Sequence, residues 1–426
     1  MPQSKTPSKS PVFYGWYILT ASFFILFLYT GARYAIGVAF KPMIAEFGWN
    51  RSAISLVIFL NMTCYALALP FMGRFYDRYG PKWVLIISTL FLFMGCGSLA
   101  FINSFWQFLI SYGIIFGVGL GGPSSVLFAS IATKWFQKAR GLAVSLGLSG
   151  ACLGQFAVVP IFTILVLNYG WRVSYFLIGL SMLVVNIPLA IWILKGDPEA
   201  LGKKPYGYKN GGGTEESRAK PGYVDSSQDL GLRDAMRTRS FWFFVVSMFI
   251  CGSGDFMVTT HLIPLVTDQG ISPTTAGNML AWFGLMSLLG IMVAGPASDL
   301  IGNKIPIALT FVMRILLFLM VIKVQSYLSF YIFALAFGFT FFITAALVPI
   351  MNGRLFGFSH VGVLSGFVTT AHHFGGGLWI YVGGWLFDRT GSYQGIFKLS
   401  LIAAFIALIC TFFIQEKRHR VRPKKH

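Results

Sequence analysis

Charge is scarce in this sequence. Asp, Glu, Lys and Arg make up 11% of its 426 residues, and only 14 residues are acidic. No stretch is hydrophilic enough to build a water-soluble domain, and a mean hydropathy of +0.70 excludes an ordinary globular chain. Cysteine is sparse too: Cys64, Cys96, Cys152, Cys251 and Cys410 all lie in apolar runs, with no C-x-x-C spacing. That excludes a disulfide framework or a zinc ribbon and leaves small core residues. An H-x-x-x-H cluster and a nucleophile motif are both lacking, so no enzyme chemistry, metal or cofactor is expected. The connecting segments and tails are too short to hold an effector domain, which argues against a signalling receptor.

What is there is apolar: 56% hydrophobic and 17% aromatic residues. Twelve runs are long enough to cross about 30 Å of hydrocarbon at about 1.5 Å per residue. They lie at 15–39, 53–72, 83–103, 107–133, 141–167, 174–195, 240–265, 274–296, 305–324, 328–350, 362–386 and 394–415. An all-α membrane protein is expected, because an unpaired peptide group in lipid costs several kcal/mol. The first run is too long for a cleaved signal peptide and is expected to stay as the first helix. Residues 196–239 are polar, contain Gly211-Gly212-Gly213, and read as a linker. The expected organisation is a tail (1–14), a six-helix bundle (15–195), the linker, a second six-helix bundle (240–415) and a basic tail (416–426).

The two bundles are written as a repeat. Gly73-Arg74-Phe75-Tyr76-Asp77-Arg78-Tyr79-Gly80-Pro81-Lys82 joins the second and third runs. Gly295, Asp299, Gly302 and Lys304 stand 222 positions after Gly73, Asp77, Gly80 and Lys82. The same offset carries Pro42 onto Pro264, Glu46 onto Asp268 and Gly48 onto Gly270. Net charge is +19, but the basic residues sit in loops, so lipid and not nucleic acid is the partner implied. Of the 33 basic residues, only Lys41, Arg51, Arg172, Lys323, Arg389 and Lys398 fall in segments that would be external if both termini are cytoplasmic. Positive-inside orientation follows.

The loop at Gly73–Lys82, with its partial repeat, resembles the signature of the major facilitator superfamily. Tyr14-Gly15-Trp16-Tyr17, Glu46-Phe47-Gly48-Trp49-Asn50-Arg51-Ser52, Lys134-Trp135-Phe136 and Arg140-Gly141 look like its bacterial branch related to monocarboxylate transporters and oxalate/formate exchangers. The resemblance implies twelve helices in two pseudo-symmetric bundles, a bacterial plasma (inner) membrane and a monomer. It implies transport of a small organic anion by proton symport or anion exchange. It also implies a gating role for the two loops. The chain departs from those relatives in having no basic residue on the eighth run and histidines on the eleventh. That departure leaves an exporter of an amphipathic molecule open.

Interior charge supplies the site candidates, since each such residue costs about 2.5–3.5 kcal/mol on insertion scales. Arg33 on the first run maps by the same offset onto Asp255 on the seventh. The pair is expected to face each other across a central cavity. Arg33 would receive a substrate carboxylate on its planar donor fork, and protonation of Asp255 would release Arg33 for the anion. A structural ion pair is the alternative. His261 is expected near the outer end, as a proton-coupling or gate residue. His372 and His373 lie mid-way along the eleventh run, with one of the two facing the cavity. Tyr34, Asn61, Gln155 and Asn278 are uncharged candidates for substrate contact. Arg314 is expected at a peripheral packing position. Gly150, Gly154 and Gly375-Gly376-Gly377 are expected at close helix crossings, and the resemblance implies a share for them in the rocking motion.

Overall fold

The computed structural model describes residues 13–138, 140–199, 202–207, 230–357 and 360–415. Helix α1 spans Tyr14–Phe47. The helical stretch Arg51–Ser98 is divided at Gly80 (φ 78°) into α2, residues 51–79, and α3, residues 81–98. Helix α4 runs from Phe105 to Leu120, with a wide π-type stretch at Leu109–Phe116, and resumes as Ser125–Trp135. The stretch Arg140–Pro188 is divided at Gly170 (φ 79°) into α5, residues 140–169, and α6, residues 171–188. Then follow α7 (Arg239–Asp268), α8 (Pro273–Ile301), α9 (Lys304–Lys323), α10 (Tyr327–Phe356), α11 (Val361–Thr390) and α12 (Gln394–Phe413). The result is twelve crossings in two six-helix bundles.

The repeat is visible in the backbone. Gly48 (φ 67°) and Gly270 (φ 78°) end α1 and α7, while Gly80 and Gly302 (φ 82°) end α2 and α8. These are left-handed positions that glycine adopts without a Cβ clash. Helix starts are fixed by side-chain caps: Thr238 accepts from the Phe241 N–H at 3.3 Å, and Ser272 from the Thr275 N–H at 3.2 Å.

The helices overrun the apolar runs. Helix α2 continues to Tyr79, α8 to Ile301 and α10 to Phe356, against expected ends at 72, 296 and 350. Hydrocarbon thickness dictates where side chains must be apolar, not where peptide hydrogen bonding stops. Polar turns therefore continue into the headgroup region until a glycine breaks them. The Gly73–Lys82 segment is thus helical on both sides of Gly80, not an open loop. Gly73, Asp77, Arg78 and Asp299 are exposed there. Lys82 lies over the Trp83 ring, Gly295 faces open space, and Lys304 donates to the Phe412 and Ile414 carbonyls at the end of α12.

The small residues pack as expected. Gly150 and Gly154 of α5 lie against the Phe23 and Phe27 carbonyls of α1, and Gly375 of α11 against the Phe249 carbonyl of α7. The contacts between bundles gather at the end away from the termini. Asp268 binds Lys41 and Arg51 at 2.6 and 2.8 Å. Asp388 accepts the Arg51 and Ser52 N–H groups at 3.0 and 2.7 Å. Gly384 packs on Arg51 and Ser55, and Gly377 on Phe59 and Met62. At the end that holds the termini, Gly73, Gly141, Gly295, Gly362 and Gly366 face open space. Among the described residues, the ion pairs and side-chain hydrogen bonds that join the bundles at one end lie at the end away from the termini.

Candidate functional site

Tyr29 and Arg33 lie one turn apart on one face of α1 and point to the bundle interface. Arg33 is 9% exposed. Its guanidinium carbon lies 4.7 Å from the Tyr65 ring of α2 and 5.0 Å from the Phe256 ring of α7. Arg33 Nη2 donates to the Met62 sulfur at 3.4 Å, the Tyr65 hydroxyl lies within reach of the guanidinium, and Nε has no partner. The Tyr29 hydroxyl, buried beside it, makes no well-formed hydrogen bond. Among the described residues no carboxylate approaches Arg33. A buried guanidinium is thereby left with an unpartnered Nε–H, tyrosine hydroxyls as its oxygen neighbours and no carboxylate.

Asp255 does not fill that gap, which corrects the expected Arg33–Asp255 opposition. Asp255, 1% exposed, binds Arg314 Nη2 at 2.6 Å through Oδ1. Its Oδ2 meets His372 Nε2 at 3.1 Å and Cys251 Sγ at 3.4 Å. Arg314, 2% exposed, also donates to the Cys251 carbonyl at 3.1 Å and to Thr340 Oγ1 at 3.2 Å. It is therefore central and not peripheral. The sequence shows that two intramembrane arginines cannot both pair with one aspartate, but not which of them does.

Both histidines are used. His372 faces Asp255, while His373 bonds the Thr369 carbonyl at 2.8 Å and packs edge-on to Tyr65 at 4.7 Å. The dyad, with ring centroids 5.3 Å apart, bridges the Arg33 box and the Asp255 cluster. Tyr34 lies between the two clusters, an electrostatic neighbour of both Arg33 and Asp255. Other candidates stand elsewhere. The Asn61 amide donates to the Tyr112 carbonyl of α4 at 2.6 Å, within the π-type stretch. Gln155 donates across the bundles to the Leu280 carbonyl at 3.2 Å, its Oε1 left unpartnered. Asn278 is half-buried on α8. His261 is at the far end, on the Tyr393 hydroxyl at 3.0 Å and the Ile380 carbonyl at 3.1 Å, and Tyr393 in turn takes Arg51 Nη1 at 2.7 Å.

Cys251, Asp255 and His372 bring one ligand-type atom each within 4.8 Å of one another. The Arg314 guanidinium already occupies the carboxylate and contacts the thiol at 3.3 Å. A divalent ion would be pressed against a fixed positive charge, so this donor set does not fit a metal.

The site is therefore a fixed, uncompensated cation at the junction of two helical bundles, next to a compensated acid–base cluster. Such a junction between two helical bundles is the arrangement of a transporter. The Major Facilitator Superfamily profile matches residues 22–267 and again 244–426, and the chain belongs to that family. It is a multi-pass membrane transporter of a small molecule, and not an enzyme. It is 24% identical to the uncharacterized MFS-type transporter YcxA of Bacillus subtilis (strain 168), over 91% of this chain and 92% of that one. It is 23% identical to monocarboxylate transporter 13 of Bos taurus, over 91% and 86%. With monocarboxylate transporter 4 of Rattus norvegicus it shares 24% identity over 96% and 85%. The fold matches a bacterial homolog of the human lysosomal transporter Spinster, solved inward-facing and unoccupied. That match has a TM-score of 0.70 at 16% identity, over 95% of this chain and 98% of that one.

Proposed function

We propose that this protein moves a small organic anion, a monocarboxylate, together with a proton by alternating access. The observation that carries the reading is the buried Arg33 guanidinium, whose side-on edge offers an unpartnered Nε–H and an Nη2–H set on the Met62 sulfur, with no carboxylate beside it among the described residues. A carboxylate matches that edge with two parallel charge-assisted hydrogen bonds, and the Tyr29 hydroxyl is placed to add a third. Similarity to proteins named monocarboxylate transporters supports the same chemistry.

Charge accounting supports proton coupling. The centre holds Arg33 and Arg314 against Asp255, a net +1. Binding one anion makes it neutral, and adding one proton restores the original charge. His372 is the proton carrier in this reading. It faces Asp255 and Cys251 from α7 and Arg314 from α9, and its ring neighbours are Phe256 and His373, the latter beside Arg33. Asp255 is held by Arg314, so its part is to bind the protonated imidazole. With both termini cytoplasmic in a bacterial plasma membrane, the described state is inward-open. One translocation path lies within each chain, consistent with a monomer.

A thermal-shift screen of purified protein against organic acids tests the anion reading. Wild-type protein should be stabilised by monocarboxylates. Arg33→Lys should bind them about tenfold or more weakly, because an ammonium cannot reproduce a planar two-oxygen contact. Unchanged stabilisation in Arg33→Lys defeats the reading.

A further inference from the structure

Resting on the anion reading of Arg33, we infer that the transported acid carries one carboxylate on a flat apolar body, an aryl or similarly unsaturated acid. Short hydroxy or keto acids and dicarboxylates are disfavoured. The first argument is the supply of cations. Arg314 is held by Asp255 at 2.6 Å, so a second carboxylate would find no free cation there and would meet the Asp255 charge. One carboxylate is all the centre can neutralise.

The second argument is the wall. Phe256, whose ring lies against the Arg33 guanidinium, stands 6.4 Å from Phe341 of α10 and 5.1 Å from His373. Phe341 is 6.3 Å from Tyr34 and 5.2 Å from Phe283 of α8. Most of these contacts are edge-to-face between buried rings, so the surroundings that lead away from the guanidinium are aromatic and apolar. Rings contributed by α1, α2, α7, α8, α10 and α11 thus form a single aromatic chain that begins at the anion-binding edge.

The third argument is the lack of a polar partner. A hydroxyl or keto oxygen next to the carboxylate needs a hydrogen-bonding group, or its desolvation is uncompensated. The neighbouring amide N–H donors are committed, Asn61 to Tyr112 and Gln155 to Leu280, and the Thr340 hydroxyl donates to the Phe337 carbonyl, so none of these three donors is free for a keto oxygen. An aryl body buries apolar area without that demand, which favours it over a two- or three-carbon acid by roughly tenfold or more.

The test is isothermal titration of the purified full chain with benzoate, acetate, lactate, oxalate and the neutral benzamide, repeated on Phe341→Leu. The expected result is benzoate binding about tenfold or more tighter than acetate or lactate, with oxalate and benzamide not bound. In Phe341→Leu the benzoate-to-acetate ratio should shrink while acetate affinity is kept. Acetate or lactate binding as tightly as benzoate, or an unchanged ratio in Phe341→Leu, overturns the inference and leaves Arg33 as an anion receptor. Benzamide matching benzoate, or no acid binding at all, overturns the anion reading and this inference with it.

Discussion

Arg314 and Asp255 hold opposite charges 2.6 Å apart in the middle of the membrane, each within 2% of full burial. Neither can lose its partner cheaply. Asp255→Asn should destabilise the protein by about 3–5 kcal/mol, read as a lower Tm in detergent, because it strands the guanidinium. Asp255→Asn combined with Arg314→Met should recover most of that loss, and a double variant no better than the single one would contradict the pairing. His372→Gln keeps a hydrogen-bonding group toward Asp255 but cannot carry a proton. Accumulation driven by a pH gradient in proteoliposomes should be lost in it, while counterflow of labelled substrate persists. Surviving accumulation would remove His372 as the proton carrier. At this scale the sequence was informative about which residues matter and poor about their pairing. Arg33, Asp255 and both histidines were legible as interior polar groups. The Arg314 contact was not, because it depends on how α9 packs against α7, and no repeat offset points to it.

Helix α2 shows how an element does two tasks. Its first peptide groups, at Arg51 and Ser52, donate to Asp388 from the end of α11, so a helix start of one bundle is capped by the other. The Arg51 side chain adds Asp268 and Tyr393, and lies over the Phe387 ring at 3.6 Å. These contacts must break for the far end to open. Asp388→Ala should therefore shift the resting population toward the far-end-open state. Paired spin labels across that end would show it as a gain in the long-distance population, and an unchanged distribution would contradict the latch. Helix existence was legible from apolar run length, and the stops at Gly48, Gly80, Gly270 and Gly302 from the 222-residue offset. Helix length was not, because charged turns outside the hydrocarbon remain hydrogen-bonded helix.

Over the whole molecule, two bundles meet at a surface where, among the described residues, the buried Arg33 has no carboxylate partner. The duplicated architecture was legible in the sequence because Gly and Asp positions recur with fixed spacing. Which end stands open was not, since that rests on contacts among Lys41, Arg51, Asp268 and Asp388, drawn from three separate turns. The central claim is that the buried cation awaits an anion. Equilibrium binding of radiolabelled benzoate to purified wild-type and Arg33→Lys protein, with unlabelled benzamide as competitor, tests it most directly. The account predicts saturable binding to wild-type protein that benzamide does not displace and that Arg33→Lys loses about tenfold or more. Equal affinity in the two proteins, or displacement by benzamide, would contradict it.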